Sequence, residues 1–334
     1  MKAVAYRQSL PIAQSESLRD VTLPDPTPGD RDLLVRVQAV SVNPVDTKVR
    51  LRSAPPEGTD KVLGWDAAGI VEAVGPAVTL FKPGDRVYYA GDITRQGSNA
   101  ELQAVDERIV GRMPNSLTFA QAAALPLTAI TAWELLFDRL GVTADTQGAL
   151  LVVGAAGGVG SILVQLARQL TQLKVVGTAS RPETQAWVRE LGAHEVIDHS
   201  VSLTAELRRV GVPNVTHVAS LTQTDRHYAE LVEALMPQGR LGLIDDPAQP
   251  LDVMALKTKC LSLHWEMMFT RSRFKTDDMQ AQHDLLNRVA ELIDDGTLRS
   301  TLGEHFGAIN AMNLRRAHAF IESGQARGKV VLEY

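Results

Sequence analysis

The heptapeptide GAAGGVG, residues 154–160, constrains the fold of this chain more than any other stretch. It follows ALLVV (149–153), an apolar run typical of a buried strand, and precedes SILVQLARQL (161–170), whose apolar residues recur at helical spacing. A second apolar run, KVVGTAS (174–180), comes next. Strand, glycine turn, helix and strand in this order predict a βαβ unit whose helix N-terminus faces a dinucleotide pyrophosphate.

The glycines are a variant of the dinucleotide-binding fingerprint. Gly157 would let the backbone approach the pyrophosphate and Gly160 would let the helix pack on the sheet, whereas Ala155 stands where the first fingerprint glycine would be. The competing interpretation is a strand-to-helix turn with incidental glycines. The predicted cofactor contacts in this turn are Gly154, Ala155, Gly157, Gly158, Val159 and Gly160.

The end of the second predicted strand indicates which nucleotide binds. A site for NAD usually has an Asp or Glu there to hold the ribose 2′-hydroxyl, and residues 178–181 contain no acid. Ser180 and Arg181 offer a hydroxyl and a guanidinium, which suit a 2′-phosphate. The sequence therefore predicts NADPH rather than NADH, unless Ser180 only caps the next helix and Arg181 is only solvated.

The remaining sequence divides into two parts with different secondary-structure patterns. Apolar strand patterns and helical patterns alternate from residue 149 to 244, which predicts a doubly wound parallel sheet. The first 120 or so residues are rich in proline and strand patterns, and GKVVLEY (328–334) ends the chain with another strand pattern. Because 334 residues are many for one core, we predict an α/β protein of two domains.

Seven motifs in this order resemble the medium-chain dehydrogenase/reductase superfamily, and more narrowly its zinc-free quinone oxidoreductase branch with the bacterial proteins called zinc-type alcohol dehydrogenase-like. The motifs are MKAVAY, VSVNPVDTK, GWDAAGIVEAVG, FKPGDRV, AAALPLTAITAW, GAAGGVG and GKVVL. The resemblance implies a GroES-like, mainly-β catalytic domain over residues 1–122, completed by about 275–334. It implies a Rossmann NADPH-binding domain over residues 123–274.

The family's zinc ligands are missing from these motifs. A catalytic zinc needs a Cys in the first motif and a His-Glu pair in the second, where this chain has Asn43, Trp65 and Asp66. Its single cysteine is Cys260, and the stretch 90–100, which corresponds to the structural-zinc lobe, has none. Zinc sites need a near-tetrahedral set of thiolate, imidazole or carboxylate ligands, so we predict a metal-free protein.

Without a Lewis acid, ordinary alcohol oxidation lacks its activator. Hydride from NADPH would then pass to acceptors that are already electron-poor, namely quinones or α,β-unsaturated carbonyl compounds such as enones. Two alternatives stay open: a zinc-dependent alcohol dehydrogenase, and a non-catalytic NADPH-binding sensor or structural protein.

The resemblance implies four further cofactor contacts. Asn43 matches an asparagine beside the nicotinamide, where its amide could orient the cofactor or the substrate oxygen; Thr128 lies in the LPLTA motif, near the nicotinamide-side ribose. His199 would lie near the adenosine phosphate, and Lys329 resembles a cofactor-side basic residue. The alternatives are a turn asparagine, a hydroxyl bonded to its own helix, a surface histidine and a solvated lysine.

Substrate contacts are predicted at Trp65, Asp66 and Trp265, and catalytic roles at Asn43 and Tyr89. The phenol of Tyr89 is the candidate proton donor to a forming enolate. Aromatic and methionine clusters such as residues 265–268 are equally typical of a core or an interface.

The remaining expectations concern partners and compartment. The net charge of −5 without a basic block disfavours nucleic acid. No apolar run of about 18 residues indicates a membrane span, and one cysteine fits a reducing cytoplasm. We expect a small-molecule substrate and a homodimer formed through edge strands such as GRLGLI (239–244).

Overall fold

The computed structural model describes all residues from 1 to 334. The chain forms two compact units. The discontinuous unit comprises Met1–Ile130 and Phe269–Tyr334, and the central unit comprises Thr131–Met268. The domain limits given above from the sequence stay a prediction.

Sixteen strands and ten α-helices make up the chain. The strands are β1 (Lys2–Tyr6), β2 (Arg19–Thr22), β3 (Asp32–Val42), β4 (Lys61–Val62), β5 (Ala67–Val74), β6 (Arg86–Tyr89), β7 (Leu102–Asp106), β8 (Val110–Arg112), β9 (Ala149–Val153), β10 (Lys174–Thr178), β11 (Glu195–Ile197), β12 (Val215–Ser220), β13 (Leu235–Leu243), β14 (Ser262–Trp265), β15 (Leu302–Ala308) and β16 (Lys329–Glu333). The helices are α1 (Pro44–Arg52), α2 (Phe119–Ala123), α3 (Pro126–Trp133), α4 (Gly158–Leu170), α5 (Pro182–Glu190), α6 (Leu203–Arg209), α7 (Thr224–Ala234), α8 (Thr270–Phe274), α9 (Ala281–Asp294) and α10 (Ala311–Glu322). Shorter 3₁₀ helices cover Ser15–Ser17, Glu107–Ile109 and Val253–Lys259, and a π-helix covers Glu134–Arg139.

The discontinuous unit is built on two sheets. The larger has the order β15-β16-β3-β5-β6-β8 with β7 added on β3, and the smaller has the order β2-β1-β4. The last strand of the chain, β16, pairs antiparallel with β3 so that Val330 lies opposite Val42. This register brings Lys329 to the end of β3, where Asn43 begins α1.

Helix α1 starts directly after β3 because the sequence supplies a helix N-terminus there. Pro44 occupies the first helical position, where its missing N–H costs no hydrogen bond. The carboxylate of Asp46 accepts the backbone N–H of Asn43 at 2.7 Å, which satisfies a group that the helix itself leaves free. The turn therefore fixes Asn43 at the junction of strand and helix.

The central unit is a six-stranded sheet in which all the pairings are parallel, with the order β11-β10-β9-β12-β13-β14. In chain order this is 3-2-1-4-5-6, the arrangement of doubly wound dinucleotide-binding folds. Leu151, Val176 and Val218, from three neighbouring strands, belong to its buried core. The predicted doubly wound parallel sheet is confirmed.

The prediction that GRLGLI forms a sheet edge is wrong. Residues 239–243 lie in β13, and β14 pairs with this strand on the outer side, so that β14 is the edge strand. Ser262–Trp265 was not predicted as a strand, because its alternation of polar and apolar residues spans only four residues.

One helical stretch, Phe119–Arg139, has the length and the mean hydropathy, 1.2, of a membrane span. The protein itself buries 83% of its apolar window, as it would for a core helix.

Candidate functional site

The glycine turn lies between β9 and α4, at the carboxyl end of the central strand pair. Gly154 has φ +81°, a conformation that a side chain would strain, and its N–H donates to Thr178 Oγ1 at 3.1 Å. Gly157 is the N-cap residue of α4. The free N–H groups and the positive dipole end of α4 therefore face outward from the turn, as an anion site requires.

The glycines of this turn meet different neighbours. A Cβ on Gly160 would lie 2.4 Å from Gly154 O and 2.6 Å from Ala155 Cα, so helix packing requires glycine there. A Cβ on Gly157 would meet only Gly154 O, at 3.4 Å, which is an ordinary contact. The protein's own packing therefore does not use the space beside Gly157, and a pyrophosphate at the helix N-terminus fits there.

Ala155, which replaces the first glycine of the fingerprint, packs against a glycine on the neighbouring strand β10. Ala155 is fully buried, and a Cβ on Gly177 in β10 would lie 2.9 Å from the Ala155 methyl group. Ala155 and Gly177 together provide the close contact of turn and sheet. Gly177 and Thr178 were not predicted as contributors to the turn, although both lie in a strand that was predicted.

Ser180 and Arg181 follow the carboxyl end of β10. Arg181, not Ser180, is the N-cap residue of α5, and no side chain caps this helix. The Arg181 side chain is 42% exposed and its Nε lies 3.3 Å from Glu183 Oε1. A hydroxyl and a guanidinium are thus present at this strand end, together with the Glu183 carboxylate in the first turn of α5, which was not considered from the sequence.

His199 follows β11 at the same edge of the sheet. Its Nδ1 is buried without a hydrogen-bond partner, and its ring centre lies 6.4 Å from that of His227. Burial lowers the pKa of His199, so the ring is neutral at ordinary pH. The predicted contact with the adenosine phosphate stays a prediction.

Four polar side chains of the discontinuous unit, Asn43, Asp46, Asp66 and Lys329, form what we call the Lys329 cluster; each is almost fully buried. Lys329 Nζ lies 3.0 Å from Asp66 Oδ2 and also donates to Asn43 Oδ1 and to Val42 O. Asn43 Nδ2 donates to Asp66 Oδ2 at 2.8 Å. Three of the four members were predicted as site residues from the sequence, but no contact between them was predicted.

The fourth member is Asp46, whose spacing from Asn43 in NPVD is the signal that could have found it. Burial raises the pKa of Asp46 to about 7, and the positive charge of Lys329 opposes this. Burial also raises the pKa of Asp66, again opposed by Lys329 and by the Leu127 N–H, which donates to Asp66 Oδ1 at 2.7 Å.

These residues do not fit a zinc ion. No group of three or more His, Cys, Asp and Glu side chains is arranged to hold a metal. Of the residues at the family's ligand positions, Asn43 and Asp66 are bonded to an ammonium group, and the Trp65 indole offers no lone pair. Cys260 is exposed and lies in the other unit.

The other predicted residues of the discontinuous unit are buried. Trp65 donates to Asp92 O at 3.3 Å and meets the ring of Phe269 edge to face at 6.1 Å. The Tyr89 hydroxyl is buried without a partner, and burial strongly raises its pKa, so the phenol keeps its proton. Thr128 Oγ1 donates to Leu125 O at 3.0 Å, the intrahelical bond given above as its alternative.

Trp265 lies in the central unit, at the end of the edge strand β14, and is 53% exposed. The structure therefore brings together Asn43, Asp66 and Lys329, and it brings the glycine turn near the end of β10. The substrate and cofactor roles of all these residues stay predictions.

Two protein-family models match the chain. The model described as alcohol dehydrogenase GroES-like domain matches residues 29–130, and the model described as zinc-binding dehydrogenase matches residues 191–332. The predicted fold class, a GroES-like domain combined with a doubly wound sheet, is confirmed.

Individual proteins match over the whole length. A zinc-type alcohol dehydrogenase-like protein of Staphylococcus aureus (strain MSSA476) is 38% identical over 339 residues, covering 99% of each chain. A solved structure from Rhizobium etli CFN 42, described as that of a zinc-dependent alcohol dehydrogenase protein, is 56% identical in sequence and has a TM-score of 0.95. The match covers 100% of this chain and 98% of the chain from Rhizobium etli.

Two other solved structures share the fold at lower identity. A quinone oxidoreductase of Pseudomonas syringae is 26% identical, with a TM-score of 0.83 over 100% of this chain and 99% of that one. Mycobacterial Rv1454c, solved in complex with NADPH, is 27% identical, with a TM-score of 0.84 over 100% of both chains.

Proposed function

Since the chain belongs to the medium-chain dehydrogenase/reductase superfamily, we propose that it is an NADPH-dependent oxidoreductase that transfers hydride to quinones or α,β-unsaturated carbonyl compounds without a metal. The observation that carries the proposal is the pairing of Asp66 with Lys329. The one carboxylate at the family's zinc-ligand positions is already neutralised by a side chain, so an acceptor must be reactive without a Lewis acid.

The glycine turn supports dinucleotide binding by this chain. The space beside Gly157 and the N-terminus of α4 suit the pyrophosphate, and the fold neighbour Rv1454c is solved with NADPH. We propose NADPH over NADH because Ser180 and Arg181 follow β10 without an acid in residues 178–181.

The nicotinamide, when bound, would supply the hydride. The chain's own residues would bind and orient the cofactor and the acceptor, and would protonate the reduced acceptor. In the proposed site Asn43 lies beside the nicotinamide, with its side-chain direction fixed by Asp66 and Lys329. Tyr89 is the proposed proton donor, because its hydroxyl has no hydrogen-bond partner within the protein. An electron-poor acceptor then needs positioning and exclusion of water rather than a metal.

A zinc-dependent alcohol dehydrogenase is the second candidate, favoured by the names of the relatives. The side chains at Asn43, Trp65 and Asp66 oppose it, as argued above. We also propose a homodimer, formed through the free edge of β14, where Trp265 and Met267 are exposed apolar side chains.

The experiment that tests the function follows NADPH oxidation by EDTA-treated protein. A small quinone, a 2-enal and a simple ketone are offered in turn, and each reaction is repeated with NADH. Turnover of the quinone or the enal with preference for NADPH is the expected result. Activity on the ketone alone that depends on added zinc would favour the second candidate, and NADPH binding without turnover of any acceptor would favour a sensor.

A further inference from the structure

We propose that Lys329 is a positioning residue of the active site, whose ammonium group holds the Asn43 amide and the Asp66 carboxylate in place. The inference rests on the proposed function only in calling this the active site; the positioning itself is a property of the folded chain.

The hydrogen bonds of the ammonium group are complete. Lys329 Nζ has three N–H donors and three acceptors, which are Asp66 Oδ2 at 3.0 Å, Val42 O at 3.3 Å and Asn43 Oδ1. The side chain is 3% exposed, so water contributes little to its solvation. One carboxylate and two further oxygens therefore take the place of water around the ammonium group.

The same contacts decide which way the Asn43 amide points. Its Oδ1 accepts from Lys329, while Nδ2 donates to Asp66 Oδ2 at 2.8 Å and to Ser41 O at 3.3 Å. With the amide flipped, its NH₂ group would face the ammonium and its oxygen would face the carboxylate, and both contacts would be repulsive. Lys329 and Asp66 therefore act as one pair that fixes the asparagine.

The charge balance of the cluster depends on this one cation. Asp46 belongs to α1, and Asp66 is the residue directly before β5. From α3, the Leu127 N–H donates to Asp66 Oδ1. Lys329, from β16, carries the single positive charge among them. Removing it would leave a buried carboxylate without its counter-ion, which is strongly unfavourable.

Chemical rescue tests the inference directly. Lys329→Ala removes the atoms that n-propylammonium contains, whereas Lys329→Met keeps a side chain of similar length without the charge and leaves little room. Lys82→Ala is the matched control, because Lys82 is an exposed lysine of the same unit. Thermal stability and NADPH-dependent quinone turnover are measured for each variant with n-propylammonium, with methylammonium and with propan-1-ol.

We expect both Lys329 variants to melt at lower temperature and to lose about tenfold to a hundredfold in turnover, the usual effect of losing a group that orients a site residue. For Lys329→Ala, n-propylammonium raises the melting temperature and restores turnover more than methylammonium does, and propan-1-ol does neither. Lys329→Met, whose site is filled, is not rescued. Lys82→Ala behaves as the wild type.

Two results would overturn the inference: Lys329 variants that match Lys82→Ala in melting temperature and turnover, or rescue by propan-1-ol as strong as that by the amine. If the wild type turns over no acceptor, the proposed function fails, yet the melting temperatures with and without amine still decide the role of Lys329. If Lys329→Ala does not fold, then failure of Lys329→Met to lose stability would equally contradict the role.

Discussion

At the scale of single residues, the glycines of the turn meet two different requirements, close packing within the protein and space for a ligand, which the sequence motif alone does not distinguish. Gly160 is needed by the fold, since any Cβ there would meet backbone atoms of the turn. Gly157 is not, because its surroundings accept a methyl group. A glycine that the fold does not need, at a helix N-terminus, indicates that a ligand uses the space.

This difference predicts opposite phenotypes for two alanine variants. Gly157→Ala is expected to cost less than about 1 kcal/mol of stability, the size of a helix-cap effect, but to weaken NADPH binding at least about tenfold. Gly160→Ala is expected to cost about 3 kcal/mol, because the backbone must move. Denaturant unfolding and a fluorescence titration with NADPH measure the two quantities. Equal NADPH affinity of Gly157→Ala and the wild type would contradict pyrophosphate binding at this turn.

A second prediction concerns the residues after β10. Arg181→Ala is expected to raise the KM for NADPH about tenfold and to leave the KM for NADH unchanged, because only NADPH carries the 2′-phosphate. Glu183→Gln removes the carboxylate 3.3 Å from the Arg181 Nε and is expected to lower the KM for NADPH about twofold. Steady-state kinetics with both cofactors test this. Parallel changes for NADPH and NADH would argue against the assignment.

The positions of these residues in the fold were predictable only in part. Gly157, Gly160, Ser180 and Arg181 could be placed because each lies at a fixed distance from a strand or helix boundary, and their cofactor roles stay predictions. The bond from Gly154 to Thr178 and the packing of Ala155 on Gly177 could not, since they join neighbouring strands and depend on the register of the sheet.

At the scale of elements, strongly periodic segments were predictable and short or irregular ones were not. Helix α4 and strands β9 and β10 were predicted from their apolar patterns. Strand β14 was missed, because its alternation of polar and apolar residues spans only four residues. A buried contact joins the residue after β14 to the π-helix Glu134–Arg139: Arg139 Nε donates to Glu266 Oε2 at 2.8 Å, and Glu134 lies beside the same carboxyl group.

This contact predicts a pH dependence of stability. Burial, together with the neighbouring Glu134 charge, raises the pKa of Glu266 to about 9. Between the ordinary glutamate pKa and 9, the folded state keeps a proton that the unfolded state releases. This carboxyl group therefore lowers stability as pH rises through that window, by at most about 1.4 kcal/mol per pH unit.

Glu266→Gln removes the titration and keeps the shape. Its melting temperature relative to the wild type is therefore expected to rise steadily as the pH is raised from acidic to alkaline. Glu291→Gln, which changes an exposed glutamate, should give a difference that does not depend on pH. A constant difference for Glu266→Gln as well would mean that Glu266 is ionised in the folded protein.

At the scale of the whole molecule, the order of motifs along the chain was enough to predict the fold class. The Lys329 cluster was beyond such reasoning, because Lys329 and Asn43 are 286 residues apart and meet only through the pairing of β16 with β3. The prediction of which strand forms the edge of the parallel sheet was also wrong, since β14 pairs with the outer side of β13. The position of that edge determines where a second copy of the chain could pair.

The proposed homodimer can therefore be tested at β14 rather than at GRLGLI. Trp265 and Met267 are 53% and 46% exposed beside a strand with one unpaired edge, and such an edge is normally covered or charged. We expect sedimentation velocity to give a dimer for the wild type and a monomer for the double variant Trp265→Lys, Met267→Lys, because two lysines would repel the same two lysines across a two-fold axis. Phe274→Lys, at an exposed phenylalanine of the discontinuous unit, is the control and should remain dimeric. A dimer that survives the double lysine variant but not Phe274→Lys would place the interface on the discontinuous unit instead.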